Sequence, residues 1–215
     1  MEAYQTEEEQ IEALKRWWEE YGRSVVFGVG MCLVLVFGWR AWQDHARQNA
    51  EAASAAYDQV QQAVQKASAQ GATDLDRSTL ETLAEPLLSE WSDSTYADLS
   101  RLLMAKAAVN GKELEKARDL LTTVAEQSQD EAIMHAAKQR LARVLLSLGE
   151  HDAALAQLKG ADTAGSVYSA AYAEIRGDVL AAKGDIEGAK AAYERAVSAE
   201  NNPRPFAEMK LNNLK

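Results

Sequence analysis

The stretch GDVLAAKGDIEGAKAAYERA, residues 177–196, has the pattern of two short helices joined by a glycine turn. Gly177 opens the stretch, Gly184 lies at the turn, Ala189 belongs to the second helix, and Tyr193 follows one helical turn later. Two antiparallel helices can approach closely only where small side chains face each other, and a bulky side chain then fills the space beside them. The stretch therefore predicts a helical hairpin.

The same pattern occurs twice more upstream, in segments that begin at Ala105 and Ala142, so that successive starts are 37 and 35 residues apart. Each copy has a small first residue, a turn glycine, a small residue in the second helix, a bulky residue and a last apolar residue. In the first copy these residues are Ala105, Gly111, Ala117, Leu121 and Val124, and in the second copy they are Ala142, Gly149, Ala154, Leu158 and Ala161. In the third copy they are Gly177, Gly184, Ala189, Tyr193 and Ala196. A period of about 34 residues with this signature is typical of tetratricopeptide (TPR) repeats, which stack into a solenoid.

The composition outside the repeats also favours helices. Proline occurs only three times, Ala, Leu, Glu, Lys and Gln are frequent, and no alternating strand pattern of useful length is present. The tail FAEMKLNNLK, residues 206–215, is expected to form a helix that closes the apolar end of the stack. The predicted fold class is all-α: a single transmembrane helix, argued next, followed by a TPR-like helical-repeat solenoid.

A long apolar run precedes the repeats. Sixteen uncharged residues, Ser24 to Trp39, separate Arg23 from Arg40. The arginines can extend their charged heads to the membrane surface, and aromatic residues prefer the same depth. The aromatic residues bordering the run are Trp17, Trp18, Tyr21, Trp39 and Trp42. From Tyr21 to Trp42 a helix is about 33 Å long, enough to cross a hydrocarbon core of about 30 Å. A cleavable signal peptide would have a short basic leader, which this chain lacks. We predict a transmembrane helix over residues 24–42.

The span divides the chain into three predicted parts. Residues 1–23 form an N-terminal segment with a short amphipathic helix, whose start is marked by the capping box of Thr6 and Glu9. Three basic residues (Lys15, Arg16 and Arg23) precede the uncharged run and two (Arg40 and Arg47) follow it closely, which favours a cytoplasmic N-terminus. Residues 43–215 then form a domain on the opposite side of the membrane.

The junction between the span and the repeats is also expected to be helical. No Gly or Pro occurs between Ala41 and Gly71, so the helix of the span should continue, or resume after a small break, to about Ala69. A loop is expected at residues 71–78. A second helix from Ser78 to Trp91 is expected to be bent or interrupted near Pro86.

No sequence motif indicates chemistry. The histidines His45, His135 and His151 have no Cys or His partner at metal-binding spacing. The only cysteine, Cys32, lies inside the span. Phosphate-loop, dinucleotide and nucleophile-elbow motifs are absent. The net charge of −10 argues against nucleic-acid binding, which needs a basic surface. The sequence therefore predicts a protein that is not an enzyme and that has no cofactor, no metal and no nucleic-acid partner.

Two sets of residues are candidate contact surfaces. In a TPR stack the first helix of each pair lines a concave groove, and counting from the small positions places Lys106, Gln139, Arg143, Glu174 and Asp178 in it. The alternative, that these side chains are merely solvated, stays open. Within the span, Ser24, Gly28 and Cys32 recur every four residues and form a small-residue stripe on which another helix could pack.

The order of the segments along the chain carries a family resemblance. The segments are EALKRWWEEYGRS (12–24), GWRAWQDH (38–45), AAYDQVQQAV (55–64), RLARVLLSLGEHDAAL (140–155), EIRGDVLAAKGDIEGAKAAYERAV (174–197) and MKLNNL (209–214). With them the chain resembles, over nearly its whole length, the YfgM-like ancillary subunits of the SecYEG translocon. These are single-span inner-membrane proteins of Gram-negative bacteria with a cytoplasmic N-terminus and a periplasmic TPR-like domain.

The resemblance implies a function and partners. It implies association with the SecYEG translocon, with a PpiD-like periplasmic chaperone and with exported polypeptides, which the protein would help to pass from the channel to periplasmic chaperones. Membrane lipid would be contacted through the single helix. An alternative stays open: a TPR scaffold for envelope assembly or cell division. A cytoplasmic regulatory role of the N-terminal segment is a third possibility and is compatible with either function.

Overall fold

The structure, a computed structural model, describes residues 2–69, 77–160, 166–199 and 204–214. The described residues are mostly helical and contain no strand, which confirms the all-α class. The described helices are α1 (Glu2–Ala69), α2 (Arg77–Ser89), α3 (Thr95–Asn110), α4 (Leu114–Gln127), α5 (Glu131–Ser147), α6 (His151–Gln157), α7 (Ser169–Ala182), α8 (Ile186–Val197) and α9 (Pro205–Asn213). Most of the predicted loop at residues 71–78, and Ala161, lie outside the described residues.

Helix α1 runs without interruption for 68 residues and contains the predicted span. The prediction of a helix start at Thr6 is wrong, because α1 already begins at Glu2, and the predicted short amphipathic helix is a part of α1. The Glu, Ala and Gln residues before Thr6 are strong helix formers, and α1 contains no proline that would end it.

The chain divides into two compact units, Met1–Glu51 and Ala52–Lys215. The first unit contains the apolar part of α1. Within Ile11–Lys66, α1 includes a stretch long and apolar enough to cross a membrane, and none of that stretch is buried inside the structure. Phe27 is 82% exposed and Val34 is 72% exposed. A continuous apolar surface of this kind is unfavourable in water and suits a lipid environment.

The second unit contains the three predicted hairpins, which are α3 with α4, α5 with α6, and α7 with α8. The small and bulky positions that defined the repeat are buried. They are Ala105, Ala117, Leu121 and Val124; Ala142, Ala154 and Leu158; and Gly177, Ala189, Tyr193 and Ala196. The first helices also stack on one another, α3 on α5 and α5 on α7. The positions that define the repeat in the sequence are therefore the positions that form the core of the stack.

The turns confirm two of the three predicted glycines. Gly149 and Gly184 have positive φ angles of 78° and 83°, a region that glycine adopts without steric cost. In the first repeat the residue with a positive φ, 61°, is Lys112, whereas Gly111 has a φ of −79°. Lys112 lies seven residues after Ala105, as Gly149 lies seven after Ala142, so the turn prediction at Gly111 is wrong by one residue.

Gly177 is required by the size of its neighbour. A Cβ atom at Gly177 would lie 2.4 Å from Cε1 of Tyr193, far inside the contact distance. In the first two repeats the bulky residue is a leucine, and the corresponding small residue is an alanine. The larger ring of Tyr193 thus accompanies the smaller residue at Gly177, so the volume of the interface is conserved.

Helices at both ends of the second unit cover the stack. Ala53 and Val60 of α1 share a core cluster with Leu80, Ala84 and Leu87 of α2. Helix α2 continues through Pro86 without interruption. At the other end α9 packs on α8, and Ala207 is buried in the cluster that contains Tyr193. The tail is thus the expected closing helix.

Candidate polypeptide-binding groove

A cavity of about 620 Å³ opens between the first helices of the first two repeats. Most of its lining is apolar and comes from α3, with contributions from α4, α5 and Tyr57 of α1. The apolar side chains that line it are Leu99, Leu102, Leu103, Ala105, Val109, Leu114, Leu121 and Val144. Its volume lies in the range of ligand sites, and its position is that of the concave groove of a TPR stack. We call it the groove.

Three cations border the groove: Lys106 on α3 and Arg140 and Arg143 on α5. All three side chains are exposed, and the lining contains no acidic residue. The remaining lining residues with polar groups are Asn110, Ser147 and Tyr57. No ion pair joins any of the three cations to a carboxylate in the part of the chain that is described. The groove thus combines an apolar floor with a positively charged rim.

The predicted groove residues are divided by the structure. Lys106 and Arg143 line the groove, whereas Gln139 does not. Its chain neighbour Arg140, which the sequence count missed, lines the groove instead. The signal that could have found it is spacing: Arg140, Arg143 and Ser147 lie three and four residues apart and so share one face of α5.

Glu174 and Asp178 do not lie at the groove but under α9. Arg204 donates to Oε2 of Glu174 at 2.8 Å. Nζ of Lys210 lies 3.0 Å from Oε1 of Glu174 and 2.7 Å from Oδ1 of Asp178. Tyr193 donates its hydroxyl to Asp178 at 2.8 Å. The expected orientation toward an open groove is therefore not observed, because α9 covers this part of α7.

Burial and pairing act against each other in this cluster. The side chain of Glu174 is only 7% exposed. Burial alone would raise its pKa, but the hydrogen bonds and charges of Lys210 and Arg204 hold the pKa of Glu174 below its usual value. Burial likewise opposes the charge of Lys210, and its bonds to Asp178 and Glu174 nevertheless raise the pKa of Lys210. The cluster is therefore a satisfied ion network that attaches α9 to α7.

His135 contacts two tyrosines and has a role in packing. Its Nδ1 lies 2.7 Å from the hydroxyl of Tyr172, and its ring stacks on Tyr168 with 4.1 Å between the ring centroids. Burial and the charge of Lys138 lower the pKa of His135, and burial raises the pKa of Tyr172 to about 12. Both groups are thus neutral at pH 7, and the contact joins α5 to α7. Among the described residues, no group of three His, Cys, Asp or Glu side chains could hold a metal ion.

The small-residue stripe of the span lies on an open surface of α1. Cys32 is exposed, and a Cβ atom added at Gly28 would meet no atom within 4 Å. Ser24 is exposed as well. The packing of another helix on this stripe stays a prediction.

Comparisons with known proteins agree on the family. A family model described as a tetratricopeptide repeat-like domain matches residues 15–215. A protein of Escherichia coli (strain K12), named ancillary SecYEG translocon subunit, is 35% identical over 100% of this chain and 99% of its own length. Proteins of the same name from Haemophilus influenzae and Neisseria gonorrhoeae are 34% and 26% identical, and each alignment covers at least 99% of both chains.

No solved structure gives a significant match to this chain. The family model covers most of the sequence, including the span and the three repeats, and the relatives align from end to end. The chain therefore belongs to the tetratricopeptide repeat-like family that includes the ancillary SecYEG translocon subunits.

Proposed function

We propose that this protein is a membrane-anchored, non-enzymatic adaptor of the SecYEG translocon that binds exported polypeptides and passes them to periplasmic chaperones. The observation that carries the proposal is the groove, an apolar cavity between stacked first helices in a chain that also has a candidate membrane span. The full-length similarity to proteins named ancillary SecYEG translocon subunit supports the choice of channel.

The groove suits a segment of unfolded polypeptide. Its apolar floor can bury apolar side chains that an unfolded chain exposes, and burial of apolar surface is the main driving force of such association. A transfer function requires weak binding, so that the segment can leave. An anchor beside the channel compensates for weak affinity, because tethering raises the effective concentration to the millimolar range.

The proposed topology has the N-terminus in the cytoplasm and residues 43–215 in the periplasm of the inner membrane. The distribution of basic residues around the span supports this orientation. In the proposed sequence of events, the groove receives a segment after it leaves the channel, and a PpiD-like membrane-anchored chaperone receives the segment next.

Association with the channel is tested by purification of the full chain from membranes. A tag on Lys215 is used to recover the protein in mild detergent, and the SecYEG subunits are measured in the eluate. We expect them in the eluate together with a PpiD-like chaperone. Their absence, under conditions in which the channel subunits stay together, would contradict the proposal.

The topology is tested independently with reporters fused after Lys215. Alkaline phosphatase is active only in the periplasm, and green fluorescent protein folds poorly after export by this route. We expect phosphatase activity without fluorescence. The reverse pattern would place residues 43–215 in the cytoplasm and would contradict the proposed transfer to periplasmic chaperones.

A further inference from the structure

The charge of the groove is opposite to that of the chain. The chain has a net charge of −10, yet the charged residues at the groove are all cations, namely Lys106, Arg140 and Arg143. Several other cations of this unit are paired by carboxylates of the chain itself. These pairs are Lys116 with Glu81, Arg118 with Glu150, Lys183 with Asp152, and Lys210 with Asp178. No described carboxylate pairs with the three groove cations, and they lie together at one apolar cavity.

The third repeat shows how the same position is neutralised within the chain. Lys106, Arg143 and Asp178 each follow the first small residue of their repeat by one position. At Asp178 the chain provides the opposite charge itself, from Lys210 of α9. No described carboxylate forms an ion pair with Lys106 or Arg143. Both side chains are exposed, so water hydrates them in the free protein and a bound partner can supply the opposite charge.

We propose that the groove selects polypeptide segments in which apolar residues are flanked by aspartate or glutamate. This inference rests on the proposed function and specifies its substrate class. The floor, with Leu102, Leu103 and Val109, contacts the apolar side chains, and the arginines donate paired N–H groups to the carboxylates. A lysine-rich segment gains the same apolar contacts but is repelled by the rim.

The test uses the full chain in phosphatidylcholine nanodiscs and three short fluorescent peptides. The peptides share one apolar centre and carry glutamates, glutamines or lysines on both flanks. Fluorescence anisotropy is measured at low and at high salt. We expect the glutamate peptide to bind about tenfold more tightly than the glutamine peptide, which is about 1.4 kcal/mol, and the lysine peptide to bind most weakly. High salt should reduce the difference, because exposed ion pairs are screened.

Matched variants locate the effect. The double variant Arg140→Gln/Arg143→Gln should bind the glutamate and glutamine peptides equally. The double variant Lys66→Gln/Lys159→Gln removes the same charge at exposed positions outside the groove and should keep the tenfold preference. Val109→Ser should weaken all three peptides by a similar factor, since it changes the floor and leaves the rim intact.

Each other outcome overturns the inference in a distinguishable way. Equal binding of the three peptides, weakened by Val109→Ser, would refute charge selection and leave the proposed function standing. No binding by any peptide at about 1 mM would refute charge selection and peptide binding together, while channel association would still be judged by purification. Displacement of the glutamate peptide by short-chain phosphatidylglycerol at equal concentration, absent in the Arg140→Gln/Arg143→Gln variant, would identify an anionic lipid as the occupant instead.

Discussion

The groove and the C-terminal end of the stack use the same repeat position in opposite ways. In the first two repeats the position holds Lys106 and Arg143, and both side chains are exposed at a cavity without a carboxylate partner among the described residues. In the third repeat it holds Asp178, which Lys210 of α9 neutralises. The same repeat position thus contributes an internal ion pair at the C-terminal end of the stack, where the charge supports folding. At the groove it contributes exposed cations, whose charge is available for binding.

The largest effect should follow from removal of the ring that fills the closed end. Tyr193→Ala leaves a cavity beside Gly177 and removes the hydroxyl bound to Asp178, and we expect it to lower the free energy of unfolding by about 3–5 kcal/mol. Tyr193→Phe, which removes only the hydrogen bond, should cost about 1 kcal/mol. Urea unfolding followed by circular dichroism measures both. An equal cost for the two variants would show that the ring does not support the interface.

The next effect separates the two regions directly. Lys210→Met leaves Glu174 with Arg204 alone, and since Glu174 is buried we expect a loss of about 1–3 kcal/mol in unfolding free energy. The corresponding replacement of a cation by methionine at the groove, Arg143→Met, should alter the free energy of unfolding by less than about 0.5 kcal/mol, because no ion pair is lost. If Arg143→Met destabilised the fold as much as Lys210→Met, the contrast between the two regions would be wrong.

A smaller effect should appear with pH. Because pairing lowers the pKa of Glu174 in the folded protein, the stabilisation by its charge is complete above the pKa of the unfolded state. It is lost as pH falls through the lower, folded-state pKa. Glu174→Gln should therefore destabilise the protein at pH 7 and show a smaller drop in urea midpoint than the wild type on acidification below about pH 4. Parallel pH profiles for the two proteins would contradict the assignment.

The smallest effect concerns the first turn. Lys112→Gly should stabilise the protein by up to about 1 kcal/mol, since a lysine at positive φ is strained and glycine is not, although the gain is reduced by the greater entropy of the unfolded glycine chain. The reciprocal change, Gly149→Lys, should destabilise by about 1 kcal/mol. Thermal melts of both variants would reveal a common turn geometry through shifts of opposite sign.

The features of the fold that the sequence predicts are those set by local contacts. The small positions Ala105, Ala142 and Gly177 were predictable because helix pairing repeats a steric requirement at a fixed spacing. The position of the first turn was not predictable. Gly111 fits the glycine position of the repeat to within one residue, but the residue with the positive φ angle is its neighbour Lys112. The continuity of α1 through Thr6 was missed for a related reason: a capping pattern also fits inside a helix rich in strong helix formers.

The candidate site was only partly predictable because it depends on contacts distant in sequence. Counting from the small residues identified the face of α3 that carries Lys106, yet it chose Gln139 where its neighbour Arg140 lines the groove. A single residue corresponds to about 100° of helix rotation, so a small error in register changes the face. The pairing of Glu174 with Lys210 joins residues 36 apart, and no local pattern shows which residues of α7 the predicted closing helix covers.

The central claim is that the open groove receives polypeptides that are being exported. A photo-crosslinking amino acid at Asn110, which lines the groove and leaves its three cations intact, tests this directly in living cells. The matched control position is Glu126, an exposed residue of α4 outside the groove. We predict crosslinks to exported chains or their chaperone from Asn110 and few from Glu126. Equal yields at the two positions, or crosslinks from Asn110 only to cell-division or wall-synthesis proteins, would contradict the account.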